Sequence, residues 1–151
     1  MSSLARSIER EVMLLGRHAF LSPPGSKGRG NRLDRSAYVL LTRLEEQGPM
    51  SVAELQEAFG LDQSTLSRQT SAMLRAGVVE RIPDPDGGLA RKFRATPLGI
   101  ERLEADRSEK LAALSKVLRG WNQDQIEAFA EMLRQFNEGI EQVDGRPWPR
   151  A

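Results

Sequence analysis

Leu4, Ile8, Val12, Leu15 and Ala19 recur every three or four residues, the spacing that gathers side chains on one side of an α-helix. This predicts a first helix over residues 3–20. It ends at Ser22-Pro23-Pro24-Gly25, and the glycine-rich, cationic run Ser26-Lys27-Gly28-Arg29-Gly30-Asn31-Arg32 has too much backbone freedom to order itself. Residues 22–32 are therefore expected to form a flexible basic connector. Asp34 is placed to cap a second helix, whose buried stripe is Ala37, Leu40, Leu41 and Leu44 and whose stop is Gly48-Pro49. Ser51-Val52-Ala53-Glu54 has the form of a capping box, in which hydroxyl and carboxylate satisfy each other's backbone donors, and it opens a short third helix ending at Phe59. Gly60 permits a left-handed turn, Leu61 plugs the corner, and Asp62 caps a fourth helix over residues 63–76.

Beyond Gly77 the period changes. Val78-Val79-Glu80-Arg81-Ile82 is β-branched and extended, Pro83-Asp84-Pro85-Asp86-Gly87-Gly88 is turn chemistry, and Arg91-Lys92-Phe93-Arg94-Ala95-Thr96 supplies the returning strand. A hairpin directly behind two helices joined by a glycine turn is a wing behind a helix-turn-helix. Thr96 and Pro97 then open a fifth helix reaching Leu118, with Ile100, Leu103, Leu111, Leu114 and Leu118 apolar. Asn122 caps a sixth helix carrying Ile126, Phe129, Leu133, Phe136 and Ile140 at intervals of three and four, the spacing of a coiled-coil seam. The last residues form an irregular tail with Trp148 either loose or docked.

The expected fold is mainly α with a small β-hairpin wing, a winged helix-turn-helix. Its order is helix, helix, short strand, helix, helix, strand, wing, strand, helix, helix. The chain reads as one protomer, with residues 33–99 as the winged lobe and residues 1–21 with 100–143 as dimerisation helices. The stripes of the first and last helices need cover. Leu4, Ile8, Val12, Leu114, Leu118, Ile126, Phe129, Leu133, Phe136 and Ile140 are the expected contacts of a homodimer.

Composition narrows the function. The chain has 151 residues, 39% hydrophobic and 28% charged, which suits one ordinary globular unit. No apolar run approaches the roughly 18 residues of a membrane span, so no membrane contact and a cytoplasmic location are expected. Having no cysteine and one histidine, the chain offers no disulfide, thiolate site or conventional zinc site, and no cofactor is expected. Glu45-Glu46 closes a helix and Asp84-Asp86 shapes a turn, so neither carboxylate pair suggests acid–base catalysis, and the chain is not expected to be an enzyme.

The net charge of +1 conceals a lopsided distribution. Residues 4–35 carry seven cations against three carboxylates, residues 63–94 six against three, and residues 97–144 six against ten. A basic front and an acidic far end orient a molecule toward a polyanion. The fourth helix supplies the matching chemistry. Leu66, Thr70, Met73 and Gly77 fall on one side, while Ser64, Ser67, Arg68, Ser71 and Arg75 fall on the other. Short hydroxyls allow close approach to a major groove, and Arg68 can bridge O6 and N7 of a guanine, worth roughly 1–3 kcal/mol of discrimination. Gln63 can reach an adenine edge from the amino end, with Thr65 beside it, whereas Gln69 lies nearer the buried side and reads as structural. Double-stranded DNA is the expected partner.

Gln63-Ser64-Thr65-Leu66-Ser67-Arg68, followed by Met73, Gly77-Val78-Val79-Glu80-Arg81, Asp84-Pro85 and Thr96-Pro97-Leu98-Gly99, resembles the MarR family of bacterial regulators. The resemblance implies a homodimer joined through the first and last two helices, bound to a palindromic operator. It also implies repression relieved by a small, often aromatic, ligand lodged between the DNA lobe and the dimer interface. His18 and Tyr38 are the candidate ligand contacts under that arrangement. The wing departs from the family pattern. Gly87 and Leu89 stand where an acidic residue and a groove-entering arginine are usual, so Arg91 is the expected substitute, with Lys92 and Arg94 on phosphates, unless the wing contributes little. Two other readings stay open: a winged-helix module whose basic face meets protein, and a small-molecule-binding protein with little DNA role.

Overall fold

The computed structural model describes residues 2–17 and 33–150. His18, the last turn of the expected first helix and the 22–32 connector lie outside the described residues. The chain forms α1 (Ser2–Arg17), α2 (Arg35–Gln47), β1 (Met50–Ser51), α3 (Val52–Phe59), α4 (Gln63–Arg75), β2 (Val79–Ile82), β3 (Lys92–Ala95), α5 (Pro97–Val117) and α6 (Gln123–Asp144). This is the mainly helical winged arrangement read from the sequence. The sheet is antiparallel in the order β1-β3-β2, with Met50 opposite Phe93 across one edge and Glu80 opposite Arg94 across the other.

Local chemistry accounts for most of the boundaries. Asp34 accepts from the Ala37 N–H at 2.8 Å, Asp62 from Thr65 at 2.7 Å, Thr96 from Gly99 at 3.0 Å and Asn122 from Gln125 at 2.9 Å. Each side-chain oxygen thus satisfies a donor that the first turn of a helix leaves open. Gly60 takes the left-handed conformation, with φ at 60°, and closes α3 into the turn before α4. One expectation needs correction. Ser51 accepts from the Glu54 N–H at 3.2 Å, but the Glu54 carboxylate does not complete a capping box with Ser51; it turns instead to the Lys92 ammonium at 3.2 Å. A charged partner on β3 outcompetes a neutral backbone donor for the same carboxylate. The reciprocal box forms at α6, where the Gln125 side chain accepts from the Asn122 N–H at 3.0 Å.

The core lies in the lobe. Leu40, Leu41 and Leu44 of α2, Leu55 of α3, Leu66 and Met73 of α4, Phe93 of β3 and Leu103 of α5 are buried together with Met50, Val78 and Val79. Val78 falls just outside the strand predicted for it. Its N–H caps the end of α4 by donating to the Met73 carbonyl at 3.1 Å, and its carbonyl accepts from Thr96 N–H at 3.1 Å. Arg107 ties α5 to α2, donating to Glu45 at 2.7 Å while also pairing with Glu104, and Asp106 accepts from the Leu33 N–H at 3.0 Å. Trp148 is docked on the lobe, with its ring edge against Phe59 at a centroid distance of 6.2 Å.

At Gly99 the first turn of α5 presses on the Val78 carbonyl, and a Cβ there collides with that oxygen. Gly99→Ala is therefore expected to cost about 1–3 kcal/mol of stability, the range for overpacking a well-filled site. Urea unfolding checks this through a lowered midpoint at unchanged slope.

Candidate nucleic-acid interface

α4 is oriented by what it buries. Leu66, Thr70 and Met73 are withdrawn from solvent, and the Thr70 hydroxyl donates to the Leu66 carbonyl at 2.9 Å, so that its polar atom enters the core satisfied. The 3.6-residue period then leaves Ser64, Ser67, Arg68 and Arg75 exposed, with Thr65 and Ser71 half-exposed at the margins. Gln63 is exposed at the amino end, and Gln69 is half-buried against α2. Among the described residues Arg68 and Arg75 have no hydrogen-bond or ion-pair partner, which leaves both guanidinium groups available.

The amino end of α4 is more committed than its composition suggests. The Ser64 hydroxyl donates to Asp62 Oδ1 at 2.8 Å, in addition to the Thr65 N–H. The Thr65 backbone bond, first, and then the Ser64 and Thr65 hydroxyls and the charge of Arg68 bring the Asp62 carboxyl down to about 2. Ser64 thus serves the cap as well as the outer face.

The wing divides its cations. Arg94 lies opposite Glu80 in the strand register and pairs with it at 2.5 Å, both side chains being about half exposed. Lys92, expected on phosphates, has only 13% of its side chain exposed, and its ammonium sits 3.2 Å from Glu54 and 3.6 Å from Asp84. The hydrogen bond it donates to Glu54, and the neighbouring acidic charges, raise its pKa further. Lys92 therefore joins the root of the wing to α3 and faces inward. Arg91 is exposed and, among the described residues, has no ion-pair partner. Beyond β2 the loop is shaped by Asp84, whose carboxylate accepts from Asp86 N–H at 2.9 Å and whose carbonyl accepts from Gly87 N–H at 3.0 Å. Leu89 then stands fully in solvent.

Two hollows of about 230 and 220 Å³ lie between α2 and α4, and Gln69 lines both. Tyr38 lines neither. It packs on the core with its ring 4.6 Å beneath the Lys110 ammonium. The most consequential side chain that the sequence pattern did not single out is Arg43, buried on α2, because its partners come from the far end of the chain.

Two measurements follow from this geometry. Because the folded Asp62 carboxyl ionises at about 2, below its ordinary value, the stability it lends is complete above pH about 4 and is lost as pH falls toward 2. Carbon-detected NMR titration is expected to place its midpoint near 2, and Ser64→Ala to move that midpoint upward. Lys92→Gln is expected to lower the melting temperature, since it leaves Glu54 and Asp84 facing each other without the cation. A purely solvent-facing lysine leaves the melt unmoved.

Comparison with known proteins bears on the family and the fold. The sequence model of the MarR family matches residues 33–87. An uncharacterized HTH-type transcriptional regulator of Bacillus subtilis (strain 168), YxaD, is 39% identical over 133 residues, covering 88% of this chain and 92% of that protein. The HTH-type transcriptional repressor IacR of Pseudomonas putida is 23% identical over 109 residues, covering 72% of this chain and 65% of the repressor. A MarR family transcriptional regulator from Listeria monocytogenes, solved in complex with a 26-mer DNA, superposes with a TM-score of 0.70 at 16% identity, over 94% of this chain and 96% of that one.

Proposed function

This chain belongs to the MarR family of DNA-binding transcriptional regulators and is not an enzyme, and we propose that it acts as a sequence-specific repressor working as a homodimer. The observation that carries the reading is the outer face of α4. There Ser67, Arg68, Ser71 and Arg75 project from a helix whose opposite side is packed into the core, and neither guanidinium group makes a hydrogen bond or salt bridge among the described residues. In the proposed complex, two fourth helices enter successive major grooves of a palindromic operator, about one helical turn apart. Arg68 reads a guanine edge, Gln63 and Thr65 lie near the same groove, Arg75 meets phosphates, and Arg91 takes the place of the wing's groove-entering arginine. Arg94 contributes only as far as Glu80 releases it, and Lys92 acts from behind by holding the wing. IacR, a repressor, and the DNA-bound Listeria regulator support repression and duplex binding.

The homodimer is supported by a face that one chain leaves uncovered. α6 has no buried residue, and Phe129, Phe136 and Ile140 remain 40%, 45% and 45% exposed. Leu133 follows the same stripe, Leu4, Ile8 and Val12 are exposed along α1, and Leu114, Leu118 and Ile126 are half-buried nearby. Apolar surface of this extent is the mark of a protein–protein contact. Release by a small aromatic ligand belongs to the same proposal, with Tyr38 as its described candidate contact, and a cytoplasmic location follows from a DNA target.

Titration against random duplex at rising salt tests the core of the reading. Log affinity is expected to fall linearly with log salt, and a flat response favours a protein-binding module instead. On a selected operator, Arg68→Ala is expected to weaken binding by about 1–3 kcal/mol and to relax preference at one base pair per half-site. Equal loss on every sequence reassigns Arg68 to the backbone. Phe136→Glu is expected to yield monomers by sedimentation, with duplex affinity falling alongside.

A further inference from the structure

The C-terminal tail makes contacts that neither DNA reading nor dimer formation requires. After α6, Gly145 turns the chain with φ at 68°, and the next residues lie across the lobe. The Trp148 indole Nε1 donates to Glu46 Oε2 at 2.6 Å, and its backbone N–H donates to Glu141 Oε2 at 3.0 Å. The Arg43 guanidinium sits over its ring, 5.0 Å from the centroid, and Phe59 meets the ring at an interplanar angle of 65°. Arg43 is only 8% exposed; it donates to the Pro147 carbonyl at 3.3 Å and to Gln47 Oε1 at 2.7 Å. The Arg146 guanidinium rests on Gly60, at the turn between α3 and α4, where a Cβ collides with it. Arg150 pairs with Glu141 on the last turn of α6.

The tail thus joins the end of α6 to α2, to the end of α3 and to the turn that sets the start of α4. No described element packs broadly on α6. The lobe's other attachment to the long helices is the first half of α5, through α2 and β3. A body held at one edge swings about it, and a second attachment removes that freedom.

We propose that residues 146–150 form a strap fixing the helix-turn-helix against α6, with Trp148 as its positioning residue, so that the strap sets the separation of the two fourth helices in the dimer. The proposal rests on the dimeric DNA-binding reading above. The chemistry favours a durable contact: a desolvated guanidinium over an indole is a strong form of the cation–π interaction, and the carboxylates of Glu46 and Glu141 both oppose the desolvation of Arg43. The strap is dispensable for the core. Neither Pro147 nor Trp148 belongs to the buried cluster, and removing them exposes a guanidinium that water solvates readily. Preorganised spacing matters because a loosely hung lobe loses orientational freedom on binding, which weakens affinity without any change in contacts.

The test uses the full chain, a chain truncated after Gly145, Trp148→Ala and Trp148→Phe. Each is titrated against a duplex selected from random DNA by the full chain, and against versions with one base pair added or removed between half-sites. Truncation and Trp148→Ala are expected to weaken binding to the selected duplex by about tenfold, and to affect the altered spacings far less, so that the spacing preference flattens. Trp148→Phe keeps a ring against Arg43 and Phe59 and is expected to retain most of the preference. A truncated chain with the full chain's spacing preference overturns the strap alone. A truncated chain that no longer dimerises or folds at the assay temperature also overturns it, by making the tail part of the folding unit. A full chain that selects no duplex overturns the DNA-binding reading and the strap with it.

Discussion

The burial of Leu66, Thr70 and Met73 is the constraint on which the rest of the molecule turns. A helix has one rotation about its axis, and fixing one face fixes the other. Two apolar anchors in the core turn Ser67, Arg68 and Arg75 of α4 outward. The polar member of the buried face costs little, because Thr70 returns its hydroxyl proton to the Leu66 carbonyl. Asp62 then holds the amino end with a carboxylate kept ionised by its own helix, where the backbone dipole also favours negative charge.

Charge in the lobe is partitioned by solvent access. The alternation of a strand puts Lys92 and Arg94 at two positions apart, which suggests equivalent roles on one face. Packing separates them. Lys92 meets α3 and the wing turn, where a nearly desolvated ammonium is tolerable only with carboxylates at hand, and Glu54 and Asp84 supply them. Arg94 lies in the open and pairs with the residue directly across the ladder, a contact that water and salt weaken. Of the three cations around the returning strand, Arg91 alone has no ion-pair partner among the described residues, and the wing is held in place by the ion pairs of the other two.

The long helices answer a different demand. α5 enters the core at Leu103 and then leaves it, and α6 buries nothing inside its own chain, yet both repeat apolar residues at helical intervals. A stripe of that kind is stable when another surface covers it, which is why the same sequence pattern supports a compact lobe and an outer layer whose reading is a partner copy. The docked tail links the end of that layer back to the lobe.

Helix boundaries, the glycine turn, the hairpin and the two faces of α4 were legible in the sequence because each depends on residues within a few positions of one another. Caps act over three residues, turns over two or four, and helical faces over seven. The orientation of Lys92, the diversion of Glu54 from its capping box and the seat of Trp148 on Arg43 were not legible. Their partners are separated by 38 residues in one case and by 105 in another, so the choice between solvent, backbone and a distant charge is made only when folding brings those segments together and removes water from between them.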